Sequence, residues 1–393
     1  MPAIITNKFR IHNSQQFQES FTETSGNTYY LGIGRPQPFA TATRADGRTE
    51  NQGTDTGPIT PVDAIAEEHY HYDDLLAVKK ISDTNVSFVV PRRNWTTGTV
   101  YDYYRHDYGN INTAGTAITS DSGASNLFDA TFYVMNSTYD VYKCIDNNGG
   151  AASTVEPTGN KSTSVFSTGD SYKWKYMYSL TADEQTNFLS TDFMHVSTES
   201  TDYSTTAGAI EHVKITAAGS GGTNGTYTNV AIRGDGSSGT ATVTVSGNAV
   251  TAVTITAAGS GYTFASIKAS EIGNVSGADI DFIISPEGGH ATDVVKELGG
   301  FYVMMNVNLT QAEGSGDFNT SNDFRRIVLM RTPTDSTTSA TATASTLDAT
   351  KSITFTGTPG SFQADEKITQ ASSGAVGYVI DYNSTTSGPL SAT

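Results

Sequence analysis

The stretch "YKWKYMYSL", residues 172–180, changes side-chain type at every second position. One set of alternate positions carries the aromatic residues Tyr172, Trp174, Tyr176 and Tyr178, and the intervening positions carry two lysines and a methionine. Successive side chains of a β-strand point to opposite faces. The pattern therefore predicts a half-buried strand whose aromatic face lies in the core and whose cationic face lies in solvent.

Other parts of the chain carry similar strand patterns. We predict further strands at 29–33, 86–90, 131–135 and 139–145. The composition agrees, because 38 glycines and 20 tyrosines, with abundant Ser and Thr, favour strands and turns over helices. The chain is therefore expected to be mainly β.

A few helices interrupt the strands. In "HNSQQFQESF" (12–21), Asn13 and Gln16 form a weak capping-box pattern ahead of Phe17 and Phe21. The longer segment "TPVDAIAEEHYHYDDLLAVKKI" (60–81) predicts a helix at about 62–80. Its apolar stripe is expected to pack on the sheets through Val62, Ile65 and Leu76.

The second half of the chain contains an internal repeat. "VKITAAGSGGT" (213–223) recurs as "VTITAAGSGYT" (253–263), and the span between the two copies holds almost no charge. This predicts an inserted small all-β repeat module with its own core, projecting from the rest. The predicted boundaries are 1–205 for the first part of the core, 206–286 for the module, 287–335 for the remainder of the core, 336–350 for a low-complexity linker, and 351–393 for a small C-terminal β module.

Charge and cysteine content exclude several classes of protein. The net charge of −17 argues against nucleic acid as a partner, since a phosphate-binding surface needs clustered Lys and Arg. The single Cys144 cannot form an internal disulfide, which suits a reducing cytoplasm. No window has the roughly 18 apolar residues of a membrane span, and the first residues lack a signal-peptide core. We expect a chain that is made soluble.

No motif predicts catalysis or metal binding. In "EEHYHYDD" (67–74), His69 and His71 would lie on opposite faces of a helix, which favours a polar helix over a metal site. "DFNTSND" (317–323) lacks the central glycine of a calcium loop. Cys144 lies in a strand pattern without a neighbouring base. We therefore predict no catalytic residues, no metal and no cofactor.

The adjacent arginines of "VVPRRNW" (89–95) have two interpretations. They form either a phosphate site or a structural or interface clamp where a strand ends at Pro91. The acidic composition favours the clamp. In that interpretation one guanidinium stacks on Trp95 and the other pairs with a nearby carboxylate, Asp102 or Asp107.

Several short segments resemble one known family. "VVPRRNW", "YDYYRHD" (101–107), "VYKCID" (141–146) and "YKWKYMYSL" are similar to the baseplate wedge subunit called gene product eight in T-even-type contractile-tailed bacteriophages. "NKFRIHN" (7–13), "GIGRPQPF" (32–39) and "DFRRIVLM" (323–330) add to this resemblance. It covers 1–200 and 287–335, and the repeat module and the tail after 335 depart from it.

The resemblance implies a two-layer β-sandwich that forms a homodimer and binds other wedge proteins in the virion baseplate. It also implies no catalytic activity. With the acidic charge and the lack of a membrane span, we expect no nucleic-acid or membrane partner and no small-molecule substrate. The protein would hold its neighbours together during assembly and during signalling of sheath contraction. Candidate structural or partner-contact residues are Arg35, Pro36, Phe39, Arg92, Arg93, Trp95, Trp174, Arg325 and Arg326.

An alternative from another class is a tail-fibre-like virion protein that binds a receptor or a carbohydrate. Its exposed aromatic side chains would stack on sugar rings, and it would form an intertwined trimer. The oligomeric state in solution separates these two hypotheses.

Overall fold

The structure is a computed structural model, and the parts of the chain that it describes are separated by gaps. The described residues are 5–23, 27–34, 41–43, 49–51, 53–54, 57–58, 75–111, 115–159, 161–197, 203–309, 324–335, 338–343, 346, 351–354, 361–363, 366–374, 376–382 and 389–392. The chain forms two units, one of Met1–Glu19 and Val86–Asn306, the other of Ser20–Asn85 and Val307–Thr393. The domain boundaries drawn from the sequence stay a prediction.

The described residues are mainly β-strands, as predicted. The α-helices are α1 (Asn7–Thr22), α2 (Ala182–Phe188) and α3 (Val294–Leu298), with 3-10 helices at Asp83–Asn85, Leu127–Asp129 and Ala269–Glu271. The strands are β1 (Tyr29–Gly34), β2 (Thr41–Thr43), β3 (Thr49–Asn51), β4 (Gly53–Thr54), β5 (Gly57–Pro58), β6 (Leu75–Ile81), β7 (Val86–Pro91), β8 (Tyr133–Met135), β9 (Asp140–Asp146), β10 (Phe166–Ser167), β11 (Lys173–Ser179), β12 (Phe193–His195), β13 (Ile210–Ser220), β14 (Gly225–Ala231), β15 (Arg233–Gly234), β16 (Thr240–Ser246), β17 (Ala249–Ala257), β18 (Ala265–Ser266), β19 (Ser276–Ile284), β20 (Tyr302–Met305), β21 (Arg326–Arg331), β22 (Lys351–Thr354), β23 (Lys367–Thr369), β24 (Val376–Tyr382) and β25 (Pro389–Ala392).

Two antiparallel sheets of the first unit share one apolar core. A four-stranded sheet has the order β10-β11-β9-β8, and a three-stranded sheet has the order β12-β7-β20. Phe88 and Val90 of β7 and Met194 of β12 belong to the same buried cluster as Tyr142 and Trp174 of the larger sheet. The mainly β, sandwich-like fold is confirmed.

The strand β11 differs from its sequence prediction in one respect, because both of its faces are buried. Trp174 is 0% exposed and stacks on Tyr172 with ring centroids 5.4 Å apart. Lys175, on the opposite face, is also 0% exposed. Its Nζ donates to the carbonyls of Ser162 (3.0 Å), Tyr176 (3.0 Å) and Tyr203 (2.8 Å). The period of 2 was correct, and the half-buried assignment was wrong because loops cover the cationic face.

The predicted helix at about 62–80 is wrong over its last part. Residues 59–74 lie outside the described residues, and Leu75–Ile81 form strand β6, antiparallel to β1. Leu76 is 57% exposed and does not pack as predicted. Backbone hydrogen bonding to β1 satisfies this segment, and such tertiary pairing overrides a local helical pattern. By contrast, the predicted N-terminal helix is present as α1, but it begins at Asn7, so Asn13 lies inside the helix and is not its cap.

The repeat segment 210–284 forms three small sheets around two apolar clusters. Strand β13 pairs with β19, so that Ile210 lies opposite Ile284 and the two ends of the segment are adjacent. One cluster contains Ile210 and Tyr262, and the other contains Val230 and Val275. Each cluster draws on both copies of the repeat. The two copies therefore fold together and do not form separate units.

Tyr262 explains why the two copies differ at one position. Its buried hydroxyl accepts from the Gly239 amide (3.1 Å) and donates to the Ile232 carbonyl (3.0 Å). A Cβ on Gly236 would lie 2.5 Å from the Tyr262 ring, so only glycine allows this packing. The equivalent position of the first copy is Gly222, where a Cβ would lie 2.2 Å from Val275. A second tyrosine has no space there.

The second unit contains two larger sheets. Strand β1 is central in the order β21-β1-β6, and the C-terminal strands have the order β22-β25-β24-β23. Tyr30 of β1 is buried, and its hydroxyl donates to the Ala342 carbonyl at 3.1 Å. None of the helices in the described part of the chain combines the length and the apolar content needed to span a bilayer.

We predict that Tyr262→Phe loosens the repeat segment. The change leaves the buried Gly239 amide without its acceptor, which costs about 1–3 kcal/mol of local stability. Amide hydrogen exchange over 225–257 should become correspondingly faster. Tyr227→Phe is the matched control, since its hydroxyl bonds to the Thr223 carbonyl at an exposed site. Equal protection in Tyr262→Phe and the parent would contradict this account.

Candidate functional site

Arg93 holds the end of a 3-10 helix. Its Nη1 donates to the Ala130 carbonyl and its Nη2 to the Phe128 carbonyl at 3.4 Å. The guanidinium lies 4.6 Å from the ring centroid of Tyr133. The 3-10 helix Leu127–Asp129 leaves its last carbonyls without helical partners, and a cation is a favourable donor at that end. Arg93 therefore joins the exit of β7 to the segment before β8.

Arg92 and Trp95 attach the same turn to other segments. Arg92 donates through Nε to Asn94 Oδ1 (3.0 Å) and through Nη1 to the Ser190 carbonyl (2.9 Å). Trp95 Nε1 donates to Ser153 Oγ at 3.0 Å. These side chains are half-buried, so the turn after Pro91 is fixed from three directions.

The partners of the arginine pair differ from those predicted. Arg93 lies over Tyr133 and not over Trp95, and carbonyls replace the predicted carboxylates. Asp102 is buried and accepts from Ser122 and Thr131, with Thr131 N at 2.7 Å. Asp107 pairs with Arg105 at 2.6 Å. The prediction assumed that carboxylates close in sequence would pair with the arginines. It was wrong because Asp102 and Asp107 bind other residues of their own loops.

The remaining candidate residues are dispersed. Trp174 is enclosed in the sandwich and contributes packing there. Arg326 is buried at the start of β21, opposite Gly34, and Arg325 precedes it half-buried. Arg35, Pro36 and Phe39 lie outside the described residues. The described candidates do not form one site.

A buried ion pair lies beside the aromatic core. Lys143 Nζ is 2.5 Å from Glu297 Oε2, and the two side chains are 0% and 3% exposed. Lys143 also lies 4.2 Å from the ring centroid of Tyr104. Burial by itself raises the pKa of the Glu297 carboxyl, but the Lys143 charge and the nearby His290 outweigh burial and hold that pKa below its usual value. No sequence pattern indicated this pair, because 154 positions separate its members.

A second set of charges joins the repeat segment to the sandwich. Arg105 Nη1 lies 2.5 Å from Asp281 Oδ2 on β19. His212 on β13 lies 3.0 Å from Asp146 Oδ2 through Nε2. Lys173 Nζ contacts His212 Nδ1 at 3.0 Å. The few Lys and Arg of this segment gave no indication of these contacts, because the segment contributes His212 and Asp281 to them.

One hydrogen-bonded chain has the composition of a catalytic triad. Ser87 Oγ lies 2.6 Å from His195 Nδ1, and His195 Nε2 lies 3.0 Å from Glu184 Oε1. Ser87 is the second residue of β7 and is 4% exposed, so a substrate carbonyl has no access to its hydroxyl. This series of hydrogen bonds connects β7 to β12 and α2. Sequence spacing did not indicate it, since Ser87 and His195 are 108 positions apart.

Metal and thiol chemistry find little support in the described residues. Within these ranges, no group of three or more His, Cys, Asp or Glu side chains is placed to hold a metal ion. The segments 67–74 and 317–323 lie outside them. Cys144 is buried, and burial raises the pKa of its thiol well above the usual value, which disfavours the reactive thiolate.

We predict that Arg93→Lys destabilises the sandwich by about 1–3 kcal/mol, because an ammonium cannot serve both carbonyls and cover Tyr133. Urea unfolding followed by tryptophan fluorescence measures this change, since Trp95 and Trp174 both lie in the first unit. Arg92→Lys is the control and should cost less, because its bond to Asn94 is exposed. Parental stability of Arg93→Lys would refute the clamp.

We predict that Glu297→Gln destabilises the sandwich by about 3–5 kcal/mol at pH 7, because it leaves Lys143 buried without a counter-charge. The pKa of Glu297 is lowered by folding, so its contribution is complete above the unfolded pKa of about 4.3 and is lost as pH falls through the folded pKa. The gap between parent and variant should therefore shrink below pH 4.

The same urea experiment at pH 7 and at pH 3 measures that gap. Glu287→Gln removes an exposed carboxylate and is the matched control. A gap that stays constant between these pH values would mean that Glu297 is not an ionised partner of Lys143.

The chain matches one family model of known proteins. The model is Phage-Gp8, described as Bacteriophage T4, Gp8, and the match covers residues 3–156. No curated protein matches the chain. The matched range contains α1, the arginine pair, and the strands β7 to β9. Over residues 3–156, the resemblance to the gene product eight family is confirmed.

Proposed function

We propose that this protein is a structural subunit of a phage tail baseplate wedge. The observation that carries the proposal is the Phage-Gp8 match over 3–156. In this role the chain acts as a homodimer that holds neighbouring wedge proteins together during assembly and during signalling of sheath contraction. Its place is the tail of the virion, and its role is not catalytic.

The geometry supports a structural role. The cations that sequence motifs suggested for a phosphate site, Arg92 and Arg93, donate to carbonyls of their own chain. The serine that lies beside a histidine, Ser87, is enclosed in a strand. Buried polar side chains with fixed partners rigidify a scaffold, which is the property that an assembly subunit needs.

The solution mass tests the homodimer. We expect sedimentation equilibrium of the purified protein to give twice the chain mass of 41.6 kDa. A trimer would favour the alternative of a fibre-like receptor- or carbohydrate-binding protein. The virion location has its own test, since antibodies against the protein should label the baseplate end of purified tails. Labelling of fibres alone would count against the wedge assignment.

A further inference from the structure

The N-terminal half of α1 and the start of β20 border a groove of about 710 Å³. We refer to it as the Arg10 groove, and its principal lining residues are Ile5, Phe9, Arg10, Asn13, Phe301 and Tyr302. The contact between helix and strand is fixed, because Ser14 Oγ donates to the Gly300 carbonyl at 3.0 Å. The groove is therefore a defined surface.

Large apolar side chains are exposed around this groove. Ile5 is 62% exposed, Phe9 is 52% exposed and Tyr302 is 40% exposed. One exposed apolar side chain is ordinary on a protein surface, whereas several around one concavity mark a binding surface. The groove has room for an apolar side chain from another molecule.

Arg10 has an unusual position in the groove. Its guanidinium carbon lies 3.5 Å from the ring centroid of Phe301 and 5.9 Å from that of Tyr302. This stacking orients the plane of the guanidinium but uses none of its N–H groups. Within the described residues, no acceptor for those N–H groups is found. A pre-oriented fork of donors fits a carboxylate, which accepts two parallel hydrogen bonds.

The surrounding charge favours an acidic partner. The chain as a whole carries −17, yet its first acidic residue is Glu19, after Lys8, Arg10 and His12. The N-terminus of α1 adds the positive end of a helix dipole. This local excess of positive charge attracts an acidic segment of another protein.

The neighbouring strand favours an extended partner. Among the described strands, β20 pairs with β7 alone and forms one edge of the order β12-β7-β20. An edge strand offers backbone groups that an incoming extended segment can pair with. The groove and the strand edge together fit a strand-like segment better than a helix.

We propose that the Arg10 groove binds an extended, acidic segment of a neighbouring baseplate protein. A carboxylate of that segment binds the Arg10 guanidinium, and an apolar side chain packs between Phe9 and Tyr302. This inference rests on the proposed function, and it names the surface and the chemistry through which one wedge contact is made.

The test compares tails purified from phage that encode the parent, Arg10→Gln or Lys8→Gln. Lys8 is exposed on the same helix, so Lys8→Gln changes the charge equally and is the matched control. Quantitative mass spectrometry gives the copies of this protein per tail. We expect Arg10→Gln to lower the copy number about tenfold, the loss typical of one charge-assisted contact, and Lys8→Gln to lower it less than about twofold.

Phe9→Ser probes the apolar half of the groove and should also reduce incorporation. Phe9 is half-exposed, so this variant tests the surface even where Arg10→Gln fails to fold, which thermal melting of each purified protein detects. Parental incorporation of folded Arg10→Gln and Phe9→Ser would overturn the groove proposal. Loss of self-association in these variants would assign the surface to a second copy and would overturn it too.

The same experiment separates the two proposals. If the parent protein is present in tails and the variants are fully incorporated, only the groove assignment fails. Absence of the parent protein from purified tails would refute the baseplate role, and the groove proposal would fail with it.

Discussion

The need to give lysines inside an aromatic core charged or hydrogen-bonding partners is the constraint on which the sandwich depends. A buried ammonium is costly unless it is paired and hydrogen-bonded. Lys143 meets this need with Glu297, and Lys175 meets it with three carbonyls, including those of Ser162 and Tyr203. Tyr176 is the next residue after Lys175, whereas Glu297, Ser162 and Tyr203 come from other parts of the chain. The buried cations therefore determine which distant segments cover the sheet.

The same constraint explains how the sandwich accommodates a long excursion of the chain. Lys143 precedes the repeat segment 210–284, and Glu297 follows it. Their ion pair attaches the chain to the core after the repeat segment. The pairing of Ile210 with Ile284 brings the two ends of the repeat segment together. His212 and Asp281 then attach the excursion to the sandwich through Asp146 and Arg105. The segment is consequently anchored at its base as well as inserted.

The sequence predicted what the backbone alone determines. Alternation with a period of 2 located β11, because a strand displays its two faces regardless of what covers them. The same alternation wrongly predicted that Lys175 is exposed, since exposure depends on loops that pack on the strand from other parts of the chain. The helix prediction failed over Leu75–Ile81 because pairing with β1 is a non-local effect.

The candidate site was less predictable than the fold for a related reason. Proline and adjacent arginines marked the turn after β7, but their partners at 128, 130 and 190 are distant in sequence. The contact of Arg10 with Phe301 and the Ser87–His195 bond join residues from opposite parts of the chain. Sequence spacing carries no information about such pairs. Only the residue types were visible, and those types serve packing as often as binding.

The buried cations and Arg10 differ in whether their N–H groups have acceptors within the described part of the chain. Arg93, Arg105, Lys143 and Lys175 all direct their donors at acceptors of their own chain, which rigidifies the interior. Arg10 instead stacks on the Phe301 ring, and that contact satisfies none of its N–H groups. In a protein of net charge −17, an oriented donor such as the Arg10 guanidinium adds specificity to the binding of an acidic partner. The general acidity limits unselective association, and the Arg10 groove then determines where an acidic segment binds.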